Sequence, residues 1–359
     1  MGKDTSKYTG CLLGLAVGDA LGYTVDEMTW EDIQANYGPN GLLGYDLQND
    51  YAEVTSYTQV AAFVANGLLL GITRGKQEAY MRYVSHAMRE WAKRQHFPRS
   101  PEKSWCWVAQ KPSLRRRHCR DPWMLDAFRF ENLGTVQKPV NKADSPGSIT
   151  AAAAVAMFFD PKRMSAPQIG DLAVQTIALT HGNADAYLSG AAFAYALAGI
   201  LQEPDSPADE HFLHAADVLE QQFGQRFPHA AEVASSLRRG IRMAREAGRD
   251  HQTDMEGFVC DTASECLTAA AYAATVCLED FDSAMILAVN HSGRSAAVGA
   301  MTGAIVGARL GEEALPGFYL ESLEPIEELR ELAADLALGS PTTGLFDDDW
   351  DEKYTHGIN

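Results

Sequence analysis

The chain has 359 residues, with 30 Lys+Arg against 48 Asp+Glu, giving a formal net charge of −18 and a sequence pI near 4.9. Nucleic-acid backbones and anionic membranes are bound through clustered surplus cations, so this balance argues against both and favours small molecules or a basic protein partner. With 46% hydrophobic and 22% charged residues, the composition is that of a globular protein able to bury a core, and the length suits one large domain or two average ones.

Met1 to Gly10 is polar and lacks the basic region, apolar stretch and cleavage site of a secretory signal. The next stretch reads Gly14-Leu15-Ala16-Val17-Gly18-Asp19-Ala20-Leu21-Gly22. Glycines every four residues fall on one face of a helix and clear that face for another backbone. Each costs roughly 1 kcal/mol of helix propensity against Ala, which packing or function has to offset. A matching ladder, Gly299, Gly303 and Gly307, lies near the other end, and the two faces are expected to pack and hold their flanking segments around one cleft. Asp19, between the glycines, reads as an interior polar anchor or helix-end cap, or as a catalyst.

Periodicity then predicts helices over Val60 to Leu70, Tyr80 to Gln95, Thr150 to Phe159, Pro167 to Leu179, Ala184 to Leu201, His211 to Phe223 and Ala230 to Glu246. Ala263 to Leu278, Phe281 to His291, Ala296 to Leu310 and Pro325 to Leu338 follow. Runs of alternating β-branched residues are missing, so the fold class is all-α. Loops fall at Tyr37 to Asp50, Phe97 to Lys111, Asn132 to Gly147, Gln202 to Asp209 and Ser340 to Thr343, and none reads as a long interdomain linker. A single domain over 1–345 follows, with 97–145 as a variable insert. That insert carries Trp105, Trp107, Trp123 and the basic cluster Arg115, Arg116, Arg117 and Arg120, a specificity element or a solvated basic face.

Residues 346–359, with Asp347, Asp348, Asp349 and Asp351 around Trp350, read as a flexible acidic tail, with a docking peptide as the alternative. The most apolar runs, Ile149 to Phe159 and Leu267 to Leu278, fall short of the roughly 20 residues of a membrane-spanning helix. The six cysteines, Cys11, Cys106, Cys119, Cys260, Cys266 and Cys277, show no CxxC pair and no zinc-site spacing, as expected of reduced thiols in a cytoplasmic protein.

The order of these segments resembles the ADP-ribosylglycohydrolases, the DraG-like or ARH-like proteins. Gly-x-x-x-Gly-Asp-Ala-Leu-Gly is one hallmark, and Thr58-Gln59 before the helix at Val60 takes the place of the family's Asp-Asp-Thr-Gln. Gly147-Ser148 stands where the family has a Gly-Ser-x-Met-Arg loop, and Leu179-Thr180-His181 looks like its Thr-His segment. Ala288-Val289-Asn290 through Gly311 is similar to its C-terminal Gly-Gly-Asp-x-Asp-Thr-x-Gly stretch. Residues 75–144 do not align.

The resemblance implies an all-α fold with a cleft that binds two magnesium ions and cleaves the N- or O-glycosidic bond of ADP-ribose attached to a target. Magnesium demands octahedral oxygen coordination, hence several carboxylates and hydroxyls. Here the acidic pair falls on Ser56 and Tyr57, the two C-terminal aspartates on Arg294 and Ala296, and the following threonine on Ala297. Thr55 survives, with Asp26 at the place of the first acidic ligand and Glu27 and Glu53 nearby. The expectation is therefore no metal and no other cofactor, with magnesium only if an ordinary hydrolase survives.

Asp26, Glu27 and Glu53 are the candidate catalytic carboxylates, since glycoside hydrolysis uses a pair about 5 to 10 Å apart. The candidate ligand-binding residues are Asp19, Thr55, Ser56, Tyr57, Gly147, Ser148, His181, Asn290, Ser292, Gly293, Arg294 and Ser295. Arg294 is singled out because a guanidinium could neutralise phosphate where relatives hold metal, or else pair with Asp26, Glu27 or Glu53 and fill the site. His181 and His291 read as bases or as packing residues. Three functions follow: a metal-free binder or cleaver of an ADP-ribose-like anion, an active magnesium-dependent hydrolase, and an inactive relative docking a basic partner.

Overall fold

The computed structural model describes residues 3–47, 50–75, 79–98, 104–204, 206–339 and 348–354, and among these it contains helices and no strand. The first four helices are α1 (Thr5–Tyr23), α2 (Trp30–Tyr37), α3 (Ser56–Thr73) and α4 (Tyr80–His96). Then come α5 (Pro122–Ala127), α6 (Ala151–Phe158), α7 (Ala166–Ala178), α8 (Ala184–Gln202), α9 (Ala208–Phe223) and α10 (Ala230–Arg245). The last are α11 (His251–Glu256), α12 (Ala263–Val276), α13 (Phe281–Val289), α14 (Ser295–Leu310), α15 (Gly317–Ser322), α16 (Ile326–Leu338) and α17 (Asp348–Tyr354).

The fold is all-α, and the glycine ladders are its axis. α1 is buried on every side from Tyr8 to Gly22, as α14 is from Ser295 to Ala308. They pack backbone to backbone: a Cβ placed on Gly14 would lie 2.2 Å from the Gly303 carbonyl oxygen, and one on Gly18 would lie 1.9 Å from that of Gly299. The ladder runs on to Gly10 beside Gly307 and Gly22 beside Ser295. This contact brings the C-terminal end of α1 against the N-terminal end of α14, and the candidate site lies there.

Short elements were missed by periodicity: α2, α11 and α15 span eight, six and six residues, too few turns to show a face. The expected Phe281 to His291 helix stops at Val289, because Asn290 turns back to donate to the Ile286 carbonyl and pairs with the backbone of Leu42. The longest apolar helix, α8, would suffice to cross a membrane by length and composition, yet 78% of its apolar window is buried inside the protein.

The variable insert is tied into the core. Cys106, Val108, Leu114 and Met124 are fully buried. Asn66 of α3 accepts from the Val108 amide at 3.1 Å, and the Gln59 side chain donates to the Arg116 carbonyl at 3.0 Å. Residues 116–121 are thereby laid across the start of α3. The expectation of a flexible acidic end does not hold for 348–354, which dock through their own aromatics. Trp350 and Tyr354 are buried, Trp350 donates to Thr73 at 3.1 Å, and Tyr354 and Lys353 donate to Asp335 at 2.7 and 2.6 Å. Residues 346, 347 and 355–359 of that tail lie outside the described residues.

Candidate ligand-binding site

The site is built on two helix N-termini that meet below the end of α1. At the first, Thr55 is the N-cap of α3, and Asp19 reaches up from α1 to the same turn. Asp19 accepts from the amides of Thr55 and Thr58 at 2.9 and 3.0 Å and from both hydroxyls at 2.6 Å. Both oxygens are thus occupied, and Asp19 is a helix-end cap. Burial pushes its carboxyl up to about 6 against these hydrogen bonds, so it remains ionised at neutral pH.

At the second, Asp26 accepts from the Ala296 amide of α14 at 3.1 Å and from Arg120, Nε and Nη2, at 3.1 Å each. Burial raises the Asp26 carboxyl, and the Arg120 charge and the Ala296 amide oppose it. Glu27, in the left-handed region at φ 65°, donates its amide to the Gly293 carbonyl at 2.8 Å. Gly293 is itself at φ 107° and has no room for a Cβ, which would lie 2.8 Å from the Val259 carbonyl oxygen. This turn presents Arg294, whose Nη1 donates to the Glu27 carboxylate.

Two guanidiniums therefore stand together. Arg120 also lies over the Tyr23 ring at 5.2 Å, and its Nη2 is 3.9 Å from Glu27. The two differ in what holds them. Arg120 is bound to a carboxylate that is itself fully buried, whereas Arg294 donates, among the described residues, only to Glu27, a carboxylate 54% exposed. The Arg294 side chain is 23% open to solvent.

The other expected residues lie around this pair or brace the segments that carry it. Glu53 lies outside the Arg294 pair: it binds Arg116 at 2.5 Å and His118 at 3.3 Å, and Arg116 continues to Glu324 at 2.5 Å. Burial lowers the His118 pKa in spite of the Glu53 charge, which opposes it. Ser56 accepts from the Arg120 amide at 3.1 Å, and Tyr57 is buried beside the Arg294 charge.

Gly147 makes room for Asp121, whose carboxylate oxygen would lie 2.3 Å from a Cβ there. His181, fully buried, hydrogen-bonds Ser148 through Nδ1 at 2.8 Å and approaches Asp121 through Nε2 at 3.4 Å. Burial pushes the Asp121 carboxyl up, but the His181 and Ser145 hydrogen bonds outweigh it and hold it below the usual range. Asn290 and Ser292 are supports: Asn290 pins Leu42, and Ser292 binds Glu256 at 2.8 and 3.0 Å and accepts from the Trp30 amide. Ser295 donates to the His291 carbonyl at 3.2 Å.

The donors present do not fit a dimagnesium centre. Asp19 is engaged by the start of α3 and Asp26 by Ala296 and Arg120, and Ala296 and Ala297 offer no oxygen from their side chains. Among the described residues, no group of three or more His, Cys, Asp or Glu side chains is placed to hold a metal ion. The residue that sequence reasoning left unplaced is Arg120, and the signal was present: four arginines within six positions of a strongly acidic chain.

The family described as ADP-ribosylglycohydrolase matches residues 2–345. Among solved structures, one titled an ADP-ribosylglycohydrolase-related protein complex superposes with a TM-score of 0.58 at 23% identity, covering 94% of this chain and 99% of its own. No curated protein matches the chain. A match over nearly the whole length, with the paired glycine ladders and shared segment order behind it, makes this chain a member of the ADP-ribosylglycohydrolase family.

Proposed function

We propose that this protein binds an anionic, phosphate-bearing ligand of the ADP-ribose class without magnesium, with Arg294 and Arg120 supplying positive charge where the family's dimetal centre is expected. The observation that carries this reading is Arg294: a partly exposed guanidinium whose hydrogen-bond partner, among the described residues, is one half-exposed carboxylate. A planar fork with unused donors suits bidentate phosphate, and Glu27 is the group an incoming anion exchanges with.

Binding is favoured over hydrolysis because each carboxylate offered for catalysis is engaged. Asp26 is held by Arg120 and Ala296, Glu27 by Arg294, and Glu53 by Arg116 and His118. A general acid or base needs a proton position open to substrate, which the buried Asp26 carboxylate does not offer while its pair is intact.

The test is calorimetric titration of ADP-ribose into the full chain in excess magnesium and in chelator. The two isotherms are expected to coincide. Affinity that appears only with magnesium would replace this reading by an ordinary hydrolase, and no heat in either buffer would favour the interaction-protein alternative. Glu27→Gln removes the competing carboxylate and should raise ADP-ribose affinity about three- to tenfold, equivalent to roughly 1 kcal/mol for one exposed pair. An unchanged or weaker affinity would mean that Glu27 does not occupy the anion position.

A further inference from the structure

Arg294 takes its position from the turn before it, and α11, which the ligand site does not otherwise use, grips that turn. Gln252 and Glu256 stand four residues apart on α11, so one helix face carries both. Gln252 donates from Nε2 to the Asn290 carbonyl at 2.6 Å. Glu256 accepts the Ser292 amide on Oε1 at 2.8 Å and the Ser292 hydroxyl on Oε2 at 3.0 Å. One carboxylate thus fixes both the backbone and the side chain of a single residue, through two charge-assisted hydrogen bonds. The Ser292 hydroxyl also accepts from the Trp30 amide at 2.9 Å, which ties the start of α2 to the same point.

A helix of six residues does not stand alone, and α11 is held from outside. The Asp254 carboxylate accepts from Arg249, Nε and Nη2, at 2.5 Å each and from the Tyr272 hydroxyl of α12 at 2.6 Å, and Met255 is fully buried. The Tyr272 hydroxyl also lies 2.7 Å from His251 Nδ1. The grip on Ser292 is therefore anchored in α12, whose face at Tyr272 is part of the core.

Only Gly293 separates Ser292 from Arg294, and it has little slack. Its backbone, at φ 107°, is packed against the Val259 carbonyl, and its own carbonyl accepts the Glu27 amide at 2.8 Å. The position of Ser292 thus sets both members of the Arg294–Glu27 pair, the arginine through the chain and the glutamate through that hydrogen bond.

We propose that α11 is a clamp for the anion site, with Glu256 and Gln252 as positioning residues that hold Arg294 and Glu27 in place for an incoming phosphate. The clamp rests on the ADP-ribose reading above. The sign of one substitution separates it from plain electrostatics. Removing a carboxylate beside the Arg294 turn raises anion affinity by Coulomb's law alone. Loss of the clamp lowers it, because a displaced guanidinium forfeits its bidentate fit.

The test titrates ADP-ribose, in chelator, into the full-length protein and its variants. Glu256→Ala is expected to weaken binding about five- to tenfold and the milder Gln252→Ala about two- to threefold. Glu256→Gln keeps an acceptor for the Ser292 amide while losing the charge, and should stay within about twofold of wild type or bind more tightly. Adding Glu256→Ala to Arg294→Ala should cost nothing further, since the clamp acts through that arginine. Hydrogen exchange reads the clamp without ligand: the Ser292 amide should exchange at least about tenfold faster in Glu256→Ala, while the amides of α1 keep their wild-type rates. Tighter binding by Glu256→Ala, the same loss from it with and without Arg294, or an unchanged Ser292 exchange rate would overturn the proposal. If the wild type binds no ADP-ribose, the ligand reading falls and the exchange rates alone decide the clamp.

Discussion

Gly18→Ala and Gly303→Ala are each expected to destabilise the protein by about 4 kcal/mol or more, among the largest losses a single methyl can cause. Helix propensity alone predicts the opposite sign, a gain of roughly 1 kcal/mol for replacing Gly by Ala within a helix. The packing decides. The added carbon would sit 1.9 Å from the carbonyl oxygen of Gly299 in one variant and 1.9 Å from that of Gly14 in the other. Both obstacles are helix backbone, which cannot rotate aside as a side chain can, so α1 and α14 must separate and open voids along a buried interface. Gly44 supplies the control. A Cβ there meets nothing within 4 Å, and Gly44→Ala should leave the denaturation midpoint within the range of ordinary surface changes, about 0.5 kcal/mol. A midpoint for Gly18→Ala equal to that of Gly44→Ala would show that the ladder is not the axis of the fold.

Asp19→Ala is the second large effect, expected to cost about 2–4 kcal/mol at about pH 7.5. The substitution strips the start of α3 of four hydrogen bonds and leaves the amides of Thr55 and Thr58 buried without an acceptor. The pH dependence has a definite sign. The folded carboxyl titrates near 6 against an ordinary value of 3.8, so the folded state binds this proton more tightly than the unfolded chain does. Its contribution to stability is therefore fully present below the unfolded pKa and declines as pH rises through the folded one. The gap between wild type and Asp19→Ala should be widest at about pH 4 and narrow by roughly 2–3 kcal/mol on reaching about pH 7. Denaturant titrations at several pH values measure this gap directly. A gap that widens with pH would mean that the hydrogen bonds outweigh burial and the shift runs the other way.

Both effects arise from residues whose importance was legible in the sequence. Small residues every four positions leave a mark in one dimension because helix geometry turns a spacing into a face, and two such marks imply each other. The loss of the carboxylates was readable for the same reason: it lies at fixed offsets from glycines that keep their places. Arg120 was not readable in that way. It reaches Asp26 across 94 positions of sequence, from a segment with no helical period that is positioned by Gln59 and Ser56, and nothing in local spacing encodes such a contact. For the tail, composition misled: the aspartates point to a solvated end, while Trp350 and Tyr354 between them bring it down onto α3 and α16.

The candidate site thus has a simple electrostatic logic. In the proposed reading, the family's metal-binding carboxylates are replaced or occupied, and two guanidiniums bring the positive charge that a phosphate-bearing ligand needs. Asp26 balances one of them from a buried position, and Glu27 balances the other from the surface.

The most direct test of this account is titration of ADP-ribose, in chelator, into the wild-type protein and Arg294→Ala. The account predicts that the wild type binds and that the variant loses at least about tenfold in affinity, roughly 1.4 kcal/mol or more, with its denaturation midpoint unchanged or slightly altered. Equal affinity in the two proteins, or wild-type binding that requires magnesium, would contradict it.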